Sequence, residues 1–188
     1  MSFIVFEGSD GVGKSTIVRE VAALLHRAGK KVRTTAEPWG LPFREVLSHV
    51  TTERAKALVH AAARAEHLSH CVTPYLDNGY IVLCDRYTPS SFVYQGMLGG
   101  LGCDEIQLYN QFFPKPDRVF LLSCNPRVAR ERIVARGDAR PETIDEILRI
   151  QDAYREWNYA WNDCQASLIL TENPAGDAAE RITKEILG

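Results

Sequence analysis

The chain has 188 residues, with 22 basic and 24 acidic side chains and a formal net charge of −2. That length suits one domain, which at this size buries roughly 70% of the surface its unfolded form exposes, so no disulfide or metal is needed to hold it together. The charge balance excludes a global field for polyanionic nucleic acid, and the five cysteines, without a C-x-x-C pair, read as reduced thiols of a cytoplasmic protein.

The first run, "FIVFEGSDGVGKST", enters an apolar stretch at once. It has no basic-then-apolar leader, and no run in the chain approaches membrane-spanning length. Its apolar half predicts a short buried strand, and "STIVREVAALLHRAG" after it has helical spacing. Between them Gly8, Gly13, Lys14 and Ser15 fit the phosphate-loop pattern G-x-x-x-x-G-K-[ST], in which backbone N–H groups and a helix N-terminus converge on an anion. Lys14 is expected to reach the β- and γ-phosphates of a nucleotide, and the Ser15 hydroxyl to coordinate Mg²⁺.

Gly29 marks a stop, "KKVRTT" a second strand, "EPWGLP" a turn, and "FREVLSHV" part of a helix. The alanine-rich run from about Glu53 to Leu76 is helical, Asn78-Gly79 is a turn, and "YIVLC" is a strand ending at Asp85-Arg86. In that long helix His67, His70 and Cys71 could face one side like metal ligands. No fourth ligand has matching spacing, so they read as helix packing or exposure. "RVFLLS" follows a helix and the breaker "FFPKPD". An Arg-rich helix from Pro126 to Arg136, a polar turn, a long helix near Glu142 to Cys164, the strand "SLILT" and a helix near Ala178 to Leu187 complete the chain. Five strands alternating with helices predict an α/β fold: a five-stranded parallel sheet with helices on both faces and ligands outside the strands' carboxyl ends. The loops after Phe6, Thr35, Cys84 and Ser123 then share one rim.

Asp85 closes an apolar strand and can hold Mg²⁺ or its waters as a Walker B acid does. Switch-type GTPase chemistry is disfavoured because the nearest match to N-K-x-D, "PKPD" at Pro114 to Asp117, begins with proline and precedes its strand. Protein-kinase chemistry lacks both H-R-D and D-F-G. Arginines form two groups, Arg64 with Arg86, and Arg132, Arg136 and Arg140 around "ARGDARPE". Two groups imply two phosphates, a donor held by the loop and an acceptor held in line by cations whose planar forks grip phosphate oxygens. An acceptor that is itself a phosphate is already ionised and needs no strong base. Glu37 is the one rim carboxylate that could serve as base for an unphosphorylated nucleoside instead.

At this point the residues resemble the thymidylate kinase family over nearly the whole chain. "FEGSDGVGKST" is similar to its phosphate loop, "LVHAAARAEHL" to its LLFAADRAEH helix, and "DRYTPSSFVYQG" to its D-R-[YH]-x-x-S-x-x-A-Y-Q-G segment. The resemblance implies a P-loop fold of the nucleoside monophosphate kinase type with a lid at about 136–142. It also implies a homodimer packed through helices, Mg²⁺, and transfer from ATP to a deoxynucleoside 5′-monophosphate. Gly8, Asp10, Gly11, Gly13, Lys14, Ser15 and Thr16 then bind ATP, and Ser15 and Asp85 the metal. Arg64 and Arg86 match the acceptor-phosphate arginines, Asp10 the acid near the 3′-hydroxyl, and Tyr94 the ring that crowds the 2′ position. Ser90, Ser91 and Gln95 fall in the base pocket, and Glu37 and His60 beside it.

Gly11 stands where the eukaryotic type carries a catalytic arginine, so the lid, through Arg136 and Arg140, is expected to supply that cation. Three positions depart from the family pattern. Ala36 precedes Glu-Pro in place of an arginine, Ala63 replaces an aspartate that could orient Arg64, and His60 replaces the phenylalanine that stacks on thymine. The acceptor is therefore thymidylate, another or modified pyrimidine deoxynucleotide, or a deoxynucleoside. A non-catalytic nucleotide-binding regulator, or a kinase of nucleic-acid ends, is the reading from another class, and the acidic charge opposes the last.

Overall fold

A computed structural model describes residues 2–160, 166–172 and 175–188. In chain order the strands are β1 (Ser2–Glu7), β2 (Val32–Ala36), β3 (Ile81–Asp85), β4 (Arg118–Ser123) and β5 (Ala166–Leu170). The helices are α1 (Lys14–Arg27), α2 (Leu41–His49), α3 (Glu53–His67), α4 (Thr73–Asp77), α5 (Thr88–Ser91), α6 (Cys103–Asn110), α7 (Pro126–Ala135), α8 (Ile144–Ala160) and α9 (Ala175–Leu187).

The strands form one sheet in the order β2-β3-β1-β4-β5, every pair parallel. Alternation along the strands sends side chains to opposite faces. Ile4, Phe6, Leu83, Phe120 and Leu122 pack with Val21 and Leu25 of α1 and Ile182 of α9. Phe3, Val5, Val82, Cys84, Val119 and Leu121 pack on the other face with Ala57 of α3 and Tyr154 and Trp157 of α8. Both faces are covered, which is why the strands read as continuous apolar runs rather than alternating ones. The connection that follows β1 runs to β2 on one side and the connection that follows its neighbour β3 runs to β4 on the other, so the carboxyl ends of β1 and β3 open the crevice where such sheets bind ligands.

The five strands and their helices fall where the sequence predicts them, with local differences. The alanine-rich run is one continuous helical path, but residues 68–72 widen into a π-type turn before α4, where Pro74 at the start of α4 cannot donate a backbone N–H. Helix α8 begins at Ile144 rather than near Glu142, fixed by a capping box. Thr143 Oγ1 accepts from the Glu146 N–H at 3.2 Å, and Glu146 Oε2 accepts from the Thr143 N–H at 2.8 Å. The expected end of that helix, 161–164, lies outside the described residues. Cys71, Cys84, Cys103 and Cys124 are all free thiols.

Candidate active site

The loop from Gly8 to Lys14 leaves β1 and turns into α1 against the backbone of its neighbours. A Cβ on Gly8, at φ +141°, would lie 2.4 Å from the Leu122 carbonyl oxygen, and one on Gly11, at φ +76°, 2.2 Å from that of Ala129. No side chain fits at either position without moving backbone, so an arginine at position 11 is sterically closed to this chain. Arg132 of α7 braces the loop from outside, donating to Gly11 O at 3.3 Å and Thr171 O at 3.1 Å. Thr16 is exposed on the first turn of α1.

Lys14 is buried, donating to Gly8 O at 3.0 Å and Ser9 O at 2.8 Å, with Asp10 Oδ1 3.7 Å away. Burial first, and Arg86 second, lower its pKa from 10.5 to about 8, against the opposing pull of Asp85, Asp10 and Glu7. An anion placed beside the ammonium favours its charged form, so nucleotide binding takes up a proton wherever the free amine prevails. ATP affinity is expected to be full below pH 8 and to fall by about tenfold per pH unit above it until the bound-state pKa is passed. Titration calorimetry in two buffers of different ionisation enthalpy checks this: proton uptake at pH 9 and none at pH 6.5 is the expected result. A pH-independent affinity would contradict it.

The Ser15 hydroxyl donates to Asp85 Oδ2 at 2.8 Å, which brings the two expected metal-binding side chains together at the loop's mouth. Among the described residues no cluster of three or more His, Cys, Asp or Glu is arranged to hold a metal. One hydroxyl and one carboxylate fit Mg²⁺, which keeps several waters and takes the rest of its shell from substrate phosphates.

Arg86 follows β3 at φ +72°, a left-handed backbone position that a side chain of this size rarely occupies. Its guanidinium donates to Asp10 Oδ1 at 2.5 Å and Ser90 Oγ at 3.2 Å, and lies 5.2 Å over the Tyr94 ring. That pose is held by Glu7, a residue that sequence reasoning passed over. Glu7 is wholly buried at the end of β1 and accepts from the Tyr87 N–H at 2.8 Å, the Ser90 N–H at 3.2 Å, the Ser90 hydroxyl at 2.7 Å and the Tyr154 hydroxyl at 2.8 Å. Burial raises its pKa, against the charge of Arg86 and these hydrogen bonds. The available signal was a carboxylate closing an apolar strand, which needs donors when buried.

Beyond Arg86 lies a cavity of about 280 Å³, lined by all of Glu37, His60, Arg64, Arg86, Ser90, Ser91, Tyr94 and Gln95, with Asp10 at its mouth. The two arginines expected to share the acceptor phosphate are not equivalent. Arg64 is 1% exposed. Its Nε and Nη2 donate to Glu37 Oε2 at 2.9 and 2.6 Å, Nη2 also to Ser91 Oγ at 3.3 Å, and Nη1 to Asn110 Oδ1. Four of its N–H donors are thus engaged and its charge is balanced by a buried carboxylate. The Glu37–Arg64 pair also corrects two expectations. Glu37 is tied to Arg64 and to His67, so it is not poised as a base, and Arg64 is oriented without a carboxylate at Ala63, whose side chain is itself buried.

His60 is half-buried, and desolvation together with Arg64 lowers its pKa to about 4. Its ring is therefore neutral at physiological pH and offers one donor and one acceptor. In the expected lid segment, Arg136 and Arg140 are both exposed; Arg136 is ion-paired with Asp138, and its charge also acts on Asp10 of the loop. His67 is buried against Glu37 and His70 is exposed beside Glu66, and both rings stack on Trp39.

The thymidylate kinase family model matches residues 6–182. A thymidylate kinase of Caldicellulosiruptor saccharolyticus is 35% identical, over 98% of this chain and 95% of that protein. Those of Bacillus velezensis and Oceanobacillus iheyensis are 37% and 36% identical over 82% of this chain, covering 78% and 74% of their own lengths.

Proposed function

The chain belongs to the thymidylate kinase family, and from that premise we propose that it transfers the γ-phosphoryl group of ATP to the 5′-phosphate of thymidylate, giving ADP and dTDP. The observation that carries this reading is the continuity of two sites. The phosphate loop with Lys14 and the cavity behind Arg86 meet at Asp10, which is 2.5 Å from Arg86 and 3.7 Å from Lys14. A γ-phosphate on the loop and a 5′-phosphate in the cavity then face each other across that carboxylate.

Gly8, Asp10, Gly11, Gly13 and Thr16 shape the ATP site, with Lys14 on the β- and γ-phosphates. Ser15 and Asp85 would hold Mg²⁺, which would supply charge neutralisation to the nucleotide phosphates. Arg86 grips the acceptor phosphate. An oxygen of that phosphate attacks the γ-phosphorus while the bond from phosphorus to the β–γ bridging oxygen breaks, leaving the electron pair on ADP. Arg64, with one N–H still to give and its charge balanced by Glu37, suits a neutral carbonyl of the base better than a second phosphate contact. Asp10 lies near the 3′-hydroxyl and Tyr94 crowds the 2′ position. The lid, 136–142, closes over ATP and brings Arg140, with Arg136 once it parts from Asp138, onto the charge that develops in transfer.

Label from [γ-³²P]ATP appearing in dTDP only when thymidylate is present tests the reading, and label appearing only in inorganic phosphate would oppose it. We also propose a homodimer, supported by the exposed Leu58 of α3 and Leu108 of the adjoining α6, with Phe112 just beyond, an apolar surface suited to a second copy. The free thiols suit a reducing compartment such as the cytoplasm.

One observation favours a second acceptor, a pyrimidine carrying an extra polar group: the neutral, hydrogen-bonding ring of His60 in place of a phenyl. His60→Phe is expected to move kcat/KM toward thymidylate, relative to 5-hydroxymethyl-deoxyuridylate, by roughly 1–3 kcal/mol of discrimination. A ratio of specificity constants unmoved by the substitution would take His60 out of base recognition.

A further inference from the structure

His67 is wholly buried and does not itself line the cavity described above, yet both of its ring nitrogens are engaged. Nε2 lies 2.7 Å from Thr35 Oγ1, and Nδ1 lies 3.2 Å from Glu37 Oε1. The indole of Trp39 covers the ring, stacked at 5.8 Å between centroids and 18° between planes. A carboxylate can only accept, so Nδ1 carries the proton. With the proton on Nδ1, Nε2 accepts a hydrogen bond from the Thr35 hydroxyl, and Thr35 Oγ1 in turn accepts from the Cys71 thiol at 3.7 Å. The donations run from Cys71 to Thr35 to His67 to Glu37, where they meet those that Arg64 makes to the same carboxylate. This relay begins under the edge strand β2 and ends at Arg64, because the other oxygen of Glu37 takes two of the Arg64 N–H groups.

We propose that His67 is a positioning residue of the acceptor site, holding Glu37 in the one rotamer that aims Arg64 into the cavity. The division of Glu37 between two partners carries the inference. With Oε1 on His67, only Oε2 faces Arg64, so the guanidinium is gripped at one edge and its opposite edge stays directed at Asn110 and the cavity. With the imidazole donor removed, Oε1 is a buried acceptor without a partner. It regains one by turning toward Arg64, and a two-oxygen grip rotates the planar fork away from a bound nucleotide. The effect is expected chiefly at the acceptor, since among the described residues the hydrogen bonds of the relay side chains join one another, Ser91 and Asn110 rather than the phosphate loop. The inference rests on the proposed thymidylate kinase activity.

Initial rates with each substrate varied in turn test it. His67→Leu keeps the volume and loses both hydrogen bonds, and is expected to raise the thymidylate KM by roughly tenfold while the ATP KM stays within about twofold. His67→Asn, whose amide can donate from near the Nδ1 position, is expected to recover most of that loss. A thymidylate KM unmoved in His67→Leu, or an equal rise in the ATP KM, would overturn the inference. If His67→Leu does not fold, Thr35→Val releases the ring at Nε2 instead, and a rise confined to the thymidylate KM supports the relay where wild-type values overturn it. A wild-type chain that fails to use thymidylate would overturn the functional reading and this inference with it, whereas turnover that His67→Leu leaves unchanged would overturn the inference alone.

Discussion

Lys14→Ala is expected to lower kcat by about 10²–10⁴ while the chain stays folded. The rate loss follows from removing a preorganised cation from the oxygens that gain charge as the phosphoryl group moves, where one such donor is typically worth about 10²–10³ and a full charge more. The fold should survive because the two apolar clusters that cover the sheet are built from other residues. Its two protein acceptors, Gly8 O and Ser9 O, are backbone carbonyls, and the volume vacated by the truncated side chain lets water take the place of the ammonium. Removing an ammonium whose burial lowers its pKa to about 8 also removes a desolvation cost. Circular dichroism alongside steady-state rates checks both halves, and near-wild-type turnover would remove Lys14 from the reaction.

Arg86→Ala is expected to cut kcat/KM for thymidylate by about 10³, through loss of the fork that holds the acceptor phosphate in line. Arg86→Lys should recover only part, because the charge remains and the planar grip does not. ATP should bind about as well as before at pH 7. Above pH 8 it should bind better than to wild type, since Arg86 is one cause of the lowered Lys14 pKa and its removal raises that pKa. A comparable loss of ATP affinity at pH 7 would place Arg86 at the donor phosphates instead.

Strand positions and the phosphate loop were legible in the sequence because both are set by local rules. Apolar runs such as "FIVF" and "RVFLLS" can only be buried strands in this context, and G-x-x-x-x-G-K-S encodes its own turn through residues that tolerate close backbone approach. Apart from the two arginine groups, the substrate residues were named through resemblance; the structure sets them around one cavity, and the task of each is a proposal. Arg64 and Arg86 look alike in sequence. What separates them is Glu37, 27 positions before Arg64 and brought to it by the parallel placement of β2 beside β3, a pairing that no local pattern announces. The same holds for Glu7, whose partners Tyr87, Ser90 and Tyr154 lie 80 to 147 positions away. Its role depends on which strands neighbour β1, and sheet order is not written in hydrophobic periodicity.

The central claim, a phosphate acceptor facing a nucleoside triphosphate across Asp10, is tested most directly by coupled ADP release with ATP and Mg²⁺ across a panel of nucleoside monophosphates and the matching nucleosides. Thymidylate is expected to give the highest kcat/KM, other deoxypyrimidine monophosphates less, and thymidine none, because without a 5′-phosphate Arg86 has nothing to hold and no base is poised to activate a hydroxyl. Turnover of thymidine but not thymidylate, or tight ATP binding with no turnover on any acceptor, would contradict it.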